Sequence, residues 1–182
     1  MSNAIVLADD RERIAQVREL FLEYATSLSF NLCFQSFEKE LAELPGDYRS
    51  PGGTLLLALS EGQPAGCVAL HGLKEGICEM KRLYVRPQFR GSGVGSQLVR
   101  QLIESATAMG YHRMRLDTVA EEMQDALRMY QRLGFVEIPP YRDNPMPSAL
   151  YLELDLNKFK ASALYGNAAA RANKKKTLGQ AG

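Results

Sequence analysis

The feature that most constrains the fold is the segment VRPQFRGSGVGSQL, residues 85–98, in which three glycines alternate directly behind Arg90. An apolar, strand-like run precedes this segment, and apolar residues at helical spacing follow it. A strand that leads through a glycine-rich turn into a helix leaves backbone N–H groups free at the positive end of the helix dipole. Arg86 and Arg90 add charge-assisted donors beside those groups. The segment therefore predicts a phosphate-binding loop between a strand and a helix.

Two common phosphate loops do not fit the glycine spacing. The P-loop requires a lysine and a hydroxyl residue after its last glycine, but Gly95 is followed by Ser96 and Gln97. The dinucleotide fingerprint requires G-x-G-x-x-G at the start of a βαβ unit. This loop instead reads G-x-G-x-G, and it follows three strand candidates joined by short turns. An ordinary strand-to-helix turn remains as the alternative, although such a turn needs only one or two glycines.

Hydrophobic periodicity divides the chain into strands and helices. Strands are predicted at residues 4–8, 54–60, 65–73, 77–85, 113–119, 135–138 and 148–156. Helices are predicted within 9–28 (with Asp9 or Asp10 as N-cap), within 35–44, from the glycine loop to Gly110, and within 121–135. This order predicts one mixed α/β (α+β) domain over residues 1–160, with a mainly antiparallel sheet of about six or seven strands flanked by about four helices. Residues 161–182 are small, polar and basic, and we expect a disordered tail there.

Composition narrows the classes of function. The chain has 22 Lys and Arg residues and 21 Asp and Glu residues, and the resulting net charge of +1 does not favour nucleic acid as a partner. It contains no apolar run of bilayer length and no leader-like N-terminus, so we expect a cytoplasmic protein without a membrane partner. Three cysteines (Cys33, Cys67, Cys78) and two histidines (His71, His112) are scattered, which predicts neither a disulfide framework nor a metal site.

The glycine loop and its neighbours resemble the GNAT N-acetyltransferases. RGSGVG is similar to the family's Arg/Gln-x-x-Gly-x-Gly/Ala signature, with Arg90, Gly93 and Gly95 at its fixed positions. EMKRLYV, LDT and MYQRLGF match the family in the same order, and the resemblance extends over roughly residues 4–156. It implies the GNAT acyl-CoA acyltransferase fold and acetyl-CoA as co-substrate without a metal. The implied activity is acetyl transfer to a primary amine of a small molecule or peptide, by direct attack in a ternary complex.

The resemblance also implies where acetyl-CoA binds. We expect the pyrophosphate on the backbone N–H groups of the loop and the pantetheine arm along the main chain of the preceding strand. The implied cofactor-binding residues are Leu83, Tyr84, Val85, Arg90, Gly91, Ser92, Gly93, Val94, Gly95 and Ser96. One position departs from the family, because Met123 stands where many members carry an asparagine that bonds the pantetheine. That contact is either lost or supplied by Gln124 or Asp117.

Glu79 is the first candidate catalytic residue. A regular strand places Glu79 on one face with Lys81, Leu83 and Val85, a few residues before the expected acetyl group. Alkyl amines have pKa values near ~10 and attack a thioester only when deprotonated, so a carboxylate here can take the proton directly or through water. The resemblance supports this role, since several GNAT enzymes use a glutamate on this strand. The alternative is that Glu79 is solvated, or pairs with Lys81 or an arginine.

Tyr130 is the second candidate catalytic residue. It lies in MYQRLGF, where GNAT enzymes commonly carry a tyrosine near the CoA sulfur, and its phenol can donate to the leaving thiolate. The alternative is a core residue, as its helical spacing indicates. His71 and His112 are weaker candidates for the base.

The acceptor amine is expected between the first two helices and the loop of the last hairpin. The candidate residues there are Tyr24, Phe30, Gln35, Tyr141, Arg142 and Asp143. Arg142 is able to bind a substrate carboxylate, although a surface role is the alternative. A different class of function also remains open, namely a non-catalytic acyl-CoA sensor, and a weaker one is an interaction protein that uses the basic tail. The sequence is compatible with a homodimer.

Overall fold

The computed structural model describes residues 3–32 and 36–159, which include seven strands, four α-helices and a further helical segment at 156–159. The strands are β1 (Asn3–Leu7), β2 (Thr54–Ser60), β3 (Gln63–Lys74), β4 (Ile77–Val85), β5 (Arg113–Val119), β6 (Val136–Ile138) and β7 (Ala149–Asp155). The helices are α1 (Arg11–Ser27), α2 (Phe37–Glu43), α3 (Val94–Ala108) and α4 (Gln124–Arg132), with short 3-10 turns at Gly46–Tyr48 and Pro87–Phe89. Cys33, Gln35 and the predicted tail at 161–182 lie outside the described residues.

The strands form one sheet in the order β1-β2-β3-β4-β5-β7-β6. Only the β4–β5 pair is parallel, and every other neighbouring pair is antiparallel. Helices α3 and α4 cover one face of the sheet, and α1 and α2 cover the other, so each face has its own apolar core. The predicted fold class, a mixed and mainly antiparallel α/β domain, is confirmed.

The helices form where local signals and apolar stripes agree. Asp10 caps α1, because its side chain accepts a hydrogen bond of 2.8 Å from the backbone N–H of Arg13. The stripe of α3 is buried against the sheet at Leu98, Val99, Leu102, Ile103 and Ala106. Each of its large side chains contributes about 1.5–3 kcal/mol by burial. Among the helices of the described residues, none has the length and hydropathy that a membrane crossing requires.

Helix α4 lies inside its predicted segment but does not fill it. The sequence pattern predicts a helix within 121–135, but the first helical residue is Gln124. The N–H groups of Glu122 and Met123 both bond back to the carbonyl of Val119, at 3.2 and 3.0 Å, which makes a tight turn at the end of β5. This turn places Met123 at the N-cap of α4.

Strand β4 contains a bulge at Arg82. Lys81 pairs with Ala69 and Tyr84 pairs with Cys67, so two residues of β4 oppose a single residue of β3 between these pairs. Arg82 has a φ of 59°, which is left-handed and uncommon for a residue with a side chain. The bulge therefore adds one residue to β4 and reverses its alternation from this point onward.

The predicted face of β4 is wrong beyond the bulge. Leu83 and Val85 pack into the α3 core rather than sharing a face with Glu79 and Lys81. Tyr84 instead joins the core under α1 and α2, on the side of Glu79 and Lys81. The physical reason is the period of two along a strand, since one inserted residue moves every later side chain to the opposite face.

Strands β4 and β5 pair only at the start of β4. Ile77, Cys78 and Glu79 pair with residues 113–115, and no further pairs join the two strands. Beyond Glu79 the strands diverge, and a cleft opens between them on the side where the bulge lies. This divergence positions the candidate site.

Candidate active site

The cleft between β4 and β5 has a volume of about 920 Å³. One wall is formed by residues 80–85 of β4, and the other by residues 117–119 of β5 and the start of α4. The glycine loop lies at one end, and Tyr24 and Leu28 at the C-terminal end of α1 approach from the side. Eight of the ten predicted cofactor-binding residues line the cleft, and Ser92 and Val94 do not.

The glycine loop has the conformation that its sequence requires. Gly91 and Gly93 have φ values of 80° and 85°, a left-handed conformation that glycine adopts without steric cost. A Cβ at either position would meet no heavy atom of the described residues within 4 Å, so both glycines border open space. Gly93 caps α3, and its carbonyl accepts the first helical hydrogen bond, from Gln97, at 3.0 Å. The N–H groups of the first turn therefore face this open space at the positive end of α3.

Side chains fix the loop against β4 rather than reaching out from it. The Arg90 Nε donates to the carbonyl of Val85 at 3.0 Å, and its guanidinium lies 6.0 Å from the centre of the Tyr84 ring. The Ser92 hydroxyl donates to the Phe89 carbonyl at 2.6 Å. The Val94 side chain is buried in the α3 core. At Ser92 and Val94, only the main chain is placed to contact a ligand.

The edge of β4 that faces the cleft is free of a neighbouring strand. In the part of the chain that the structure describes, no strand pairs with β4 on this side beyond Glu79. An unpaired strand edge presents N–H and C=O groups in a row, which an extended ligand with amide groups can join as an added strand. This edge runs from Met80 to Val85 and ends at the glycine loop.

Two tyrosines on opposite sides of the cleft supply phenol groups. Tyr130 is only 5% exposed, lines the cleft from α4, and packs on Phe135 with ring centres 5.6 Å apart. Burial raises the pKa of Tyr130, so its phenol keeps its proton and is a donor at neutral pH. Tyr24 lines the cleft from α1, 6.1 Å from the Tyr84 ring, and burial raises its pKa to about 12.

The asparagine that many GNAT members carry has no direct substitute at Met123. The Met123 sulfur accepts a hydrogen bond of 3.4 Å from the Thr118 hydroxyl. Asp117 is occupied by Arg142 and by Asn144, whose amide nitrogen lies 2.9 Å from it. Gln124 and Asp117 both line the cleft, and they differ in that the Asp117 carboxylate is already bonded to Arg142 and Asn144.

Glu79 is buried in a cluster of donors. Its side chain is 1% exposed, with His71 Nε2 2.8 Å from Oε2 and the Tyr141 hydroxyl donating to Oε1 at 2.8 Å. Arg142 Nη1 lies 3.2 Å from Oε1. Burial raises the pKa of Glu79, but the His71 hydrogen bond, the Arg142 charge and the Tyr141 hydrogen bond outweigh it and hold the pKa below its usual value. Glu79 is therefore a carboxylate at neutral pH. It does not itself line the cleft, and of its three partners only Arg142 does.

Arg142 ties the loop between β6 and β7 to the strands of the cleft. It forms an ion pair with Asp117 on β5 as well as with Glu79 on β4. Its carbonyl accepts a hydrogen bond of 2.9 Å from the Tyr151 hydroxyl. The predicted role of Arg142 in binding a carboxylate is thus weakened, because its charge is already shared between two carboxylates of the protein.

A second ion pair, which the sequence pattern did not predict, holds the bulge. Arg82 donates to both oxygens of Glu40 on α2, at 3.0 and 2.7 Å, and its guanidinium lies 5.2 Å from the centre of the Phe37 ring. Tyr48 donates to the same carboxylate at 2.6 Å. The local feature that accompanies this ion pair is the left-handed backbone of Arg82, and the residue types around Arg82 do not predict it. This contact fixes α2 against the point where β4 reverses its faces.

The remaining candidates fall in different places. Phe30 lines the cleft, whereas Asp143 is exposed and does not. His71 joins Glu79, but His112 binds the Gly76 carbonyl at 2.7 Å near the start of β4, away from the glycine loop. Within residues 3–32 and 36–159, no group of three or more acidic, His or Cys side chains is arranged to hold a metal ion.

Several solved structures have this fold. An acetyltransferase of the GNAT family from Staphylococcus aureus superposes with a TM-score of 0.71 at 18% identity, covering 85% of this chain and 99% of that one. A Salmonella typhimurium protein solved with its cofactor acetyl-CoA gives a TM-score of 0.64 at 20% identity, covering 86% of this chain and 95% of that one. These similarities show the fold.

Sequence comparison is more specific. An uncharacterized N-acetyltransferase of Schizosaccharomyces pombe is 40% identical over 141 residues, which are 76% of this chain and 86% of that protein. The uncharacterized N-acetyltransferase YjgM of Escherichia coli is 32% identical over 133 residues, covering 71% of this chain and 78% of that protein. The profile of the acetyltransferase (GNAT) family matches residues 14–135, a span that holds both walls of the cleft and the loop between β4 and α3. This chain belongs to the GNAT acetyltransferase family.

Proposed function

We propose that this protein transfers the acetyl group of acetyl-CoA to a primary amine of a small molecule or peptide. The observation that carries the proposal is the meeting, in one cleft, of an unpaired β4 edge and a glycine loop at the N-terminus of α3. The first suits an amide-containing arm, and the second suits a pyrophosphate. Family membership and relatives named as N-acetyltransferases support the same activity.

Residues of the loop and of β4 would hold acetyl-CoA. The N–H groups of Gly91 to Ser96 would receive the pyrophosphate in the open space beside Gly91 and Gly93. The main chain of Leu83 to Val85 would bind the pantetheine arm, which places the thioester near the bulge at Arg82.

The amine must lose a proton before it attacks. We place the acceptor of that proton at the Glu79–His71 pair, reached through water, because Glu79 is an anion bonded to the imidazole at 2.8 Å. The neutral nitrogen then attacks the thioester carbon, a C–N bond forms, and the C–S bond breaks. The nitrogen gives up its second proton as it becomes an amide, and this proton balances the one that the thiolate takes up to leave as a thiol. Tyr130 donates to the departing thiolate, since its phenol is protonated and lines the cleft.

An amine-panel assay tests this proposal. Purified protein is mixed with acetyl-CoA and amino acids, polyamines, aminoglycosides or peptides, and both thiol release and acetylated products are measured. We expect amine-dependent thiol release and a product heavier by one acetyl group, with Glu79→Gln and Tyr130→Phe each slower. Binding of acetyl-CoA without turnover of any amine would instead support the acyl-CoA sensor.

A further inference from the structure

Lys81 is a charged residue of the cleft that the proposed mechanism does not use. It lies on β4 between Glu79 and the bulge, and it lines the β4–β5 cleft. It also lines a second cavity of about 330 Å³ beside α2, whose wall includes His71 and Tyr48. Lys81 therefore contributes to the lining of both cavities, next to the place expected for the thioester.

The carboxylates closest to Lys81 are occupied by other groups. Glu40 is held through both oxygens by Arg82 and also accepts the Tyr48 hydroxyl. Glu79 is held by the histidine, tyrosine and arginine already described. Among the hydrogen bonds and ion pairs of the described residues, none includes the Lys81 ammonium.

This arrangement leaves a partly buried ammonium without an anion of its own. Burial lowers the pKa of Lys81, the charge of Arg82 lowers it further, and Glu40 and Glu79 oppose that shift without cancelling it. A desolvated charge is costly until an anion with hydrogen-bonding oxygens reaches it. Such an anion would have to enter from the cleft or from the second cavity.

The charges of the second cavity restrict which anion fits. Glu40, Glu43 and Asp47 also line it, together with one further lysine, Lys39, which lies 4.0 Å from Glu43. A dianion such as a phosphate monoester would meet these carboxylates unfavourably, whereas a monoanion bound at Lys81 would not place a second negative charge near them. The same carboxylates favour the ammonium that an acceptor carries before it is deprotonated. A site that combines the Lys81 ammonium with nearby carboxylates suits a zwitterion, which carries one charge of each sign.

We propose that Lys81 binds a carboxylate of the acceptor, and that the acceptor is a small amino acid-like amine with its carboxylate a few bonds from the amino group. This inference rests on the proposed acetyl transfer. It makes Lys81 a determinant of specificity, because the amine is oriented toward the thioester through its own carboxylate.

The experiment compares three matched amines at saturating acetyl-CoA: an amino acid, its carboxamide and its decarboxylated amine. We expect the wild-type protein to prefer the amino acid in kcat/KM by about tenfold to a hundredfold, the range of one charge-assisted hydrogen bond. Lys81→Met should abolish this preference by raising KM for the amino acid alone. Lys81→Arg should retain part of it, and Lys74→Met, an exposed control on β3, should leave it unchanged.

The outcomes separate this inference from the proposed function. If the wild type acetylates all three amines equally, or if Lys81→Met keeps the preference, the role of Lys81 is wrong and the transferase activity stands. If no amine is acetylated, the proposed function fails, and calorimetry with the amino acid on the CoA-bound protein decides the inference. Weaker binding in Lys81→Met supports it, and equal or absent binding overturns it.

Discussion

Replacing Gly93 by alanine separates the ligand-binding role of the glycine loop from its structural role. Gly93 has a φ of 85°, and a Cβ there meets no heavy atom of the described residues within 4 Å. The substitution therefore creates no clash within the protein, but it forces a left-handed conformation on alanine at a cost of about 1–2 kcal/mol. For a domain of this size, that cost lowers the melting temperature by roughly 2–8 °C.

The substitution should also weaken the binding of acetyl-CoA, by a mechanism separate from its effect on folding. The methyl group would project into the open space beside the first turn of α3, where we place the pyrophosphate. Loss of one charge-assisted hydrogen bond costs about 1.5–3 kcal/mol, which increases the dissociation constant by about tenfold to a hundredfold. Calorimetric titration with acetyl-CoA measures this change directly.

Gly110→Ala is the matched control at the other end of the same helix. Gly110 has a φ of 90° and also borders space without a heavy atom of the described residues within 4 Å. We expect the same loss of stability and no change in acetyl-CoA affinity. If Gly93→Ala binds acetyl-CoA as tightly as the wild type, or if both variants lose affinity equally, the loop is not the pyrophosphate site.

Three further predictions concern the side chains around the bulge and the cleft. Glu40→Gln should destabilise the fold by about 3 kcal/mol, because it removes the charge that pairs with the buried Arg82 guanidinium through both carboxylate oxygens. Glu43→Gln on the same helix should change stability by less than about 0.5 kcal/mol in urea denaturation. Because Arg82 helps to hold the pKa of Glu40 below 4.5, the wild type should lose stability as the pH falls through that lowered pKa, and Glu40→Gln should lack this part of the acid dependence in the same denaturation series. Tyr130→Phe should lower kcat by about tenfold to a hundredfold with little change in the acetyl-CoA dissociation constant. If kcat and the affinity for acetyl-CoA fall by the same factor, Tyr130 has a packing role instead.

Much of the fold could be predicted from the sequence, because local signals and hydrophobic periodicity agree along most of it. The stripe from Leu98 to Ala106 lies on one buried face of α3, and Asp10 caps α1. The short turns at residues 61–62 and 75–76 correctly indicated antiparallel neighbours. The glycine loop was placed correctly between a strand and a helix, since its spacing depends on neighbours in the chain.

The site was less predictable because it depends on one irregular residue and on contacts between distant segments. The left-handed φ of Arg82 reverses the alternation of side chains between the two faces of β4, and the order of residue types does not predict it. Its stabilising partner, Glu40, is distant in sequence and lies on a short helix. Likewise, Glu79 was a candidate base by its strand position, but its contacts with Tyr141 and Arg142 come from a loop without periodicity.

We propose that acetyl-CoA lies along β4 and on the glycine loop. Hydrogen–deuterium exchange of the full chain, measured with and without saturating acetyl-CoA, can locate the bound cofactor on these segments. We expect slower amide exchange in the segment from Leu83 to Val85 and in the loop from Gly91 to Ser96, with β1 and β2 unchanged. Binding of acetyl-CoA that leaves both segments unprotected, or that protects a different surface, would contradict this proposal.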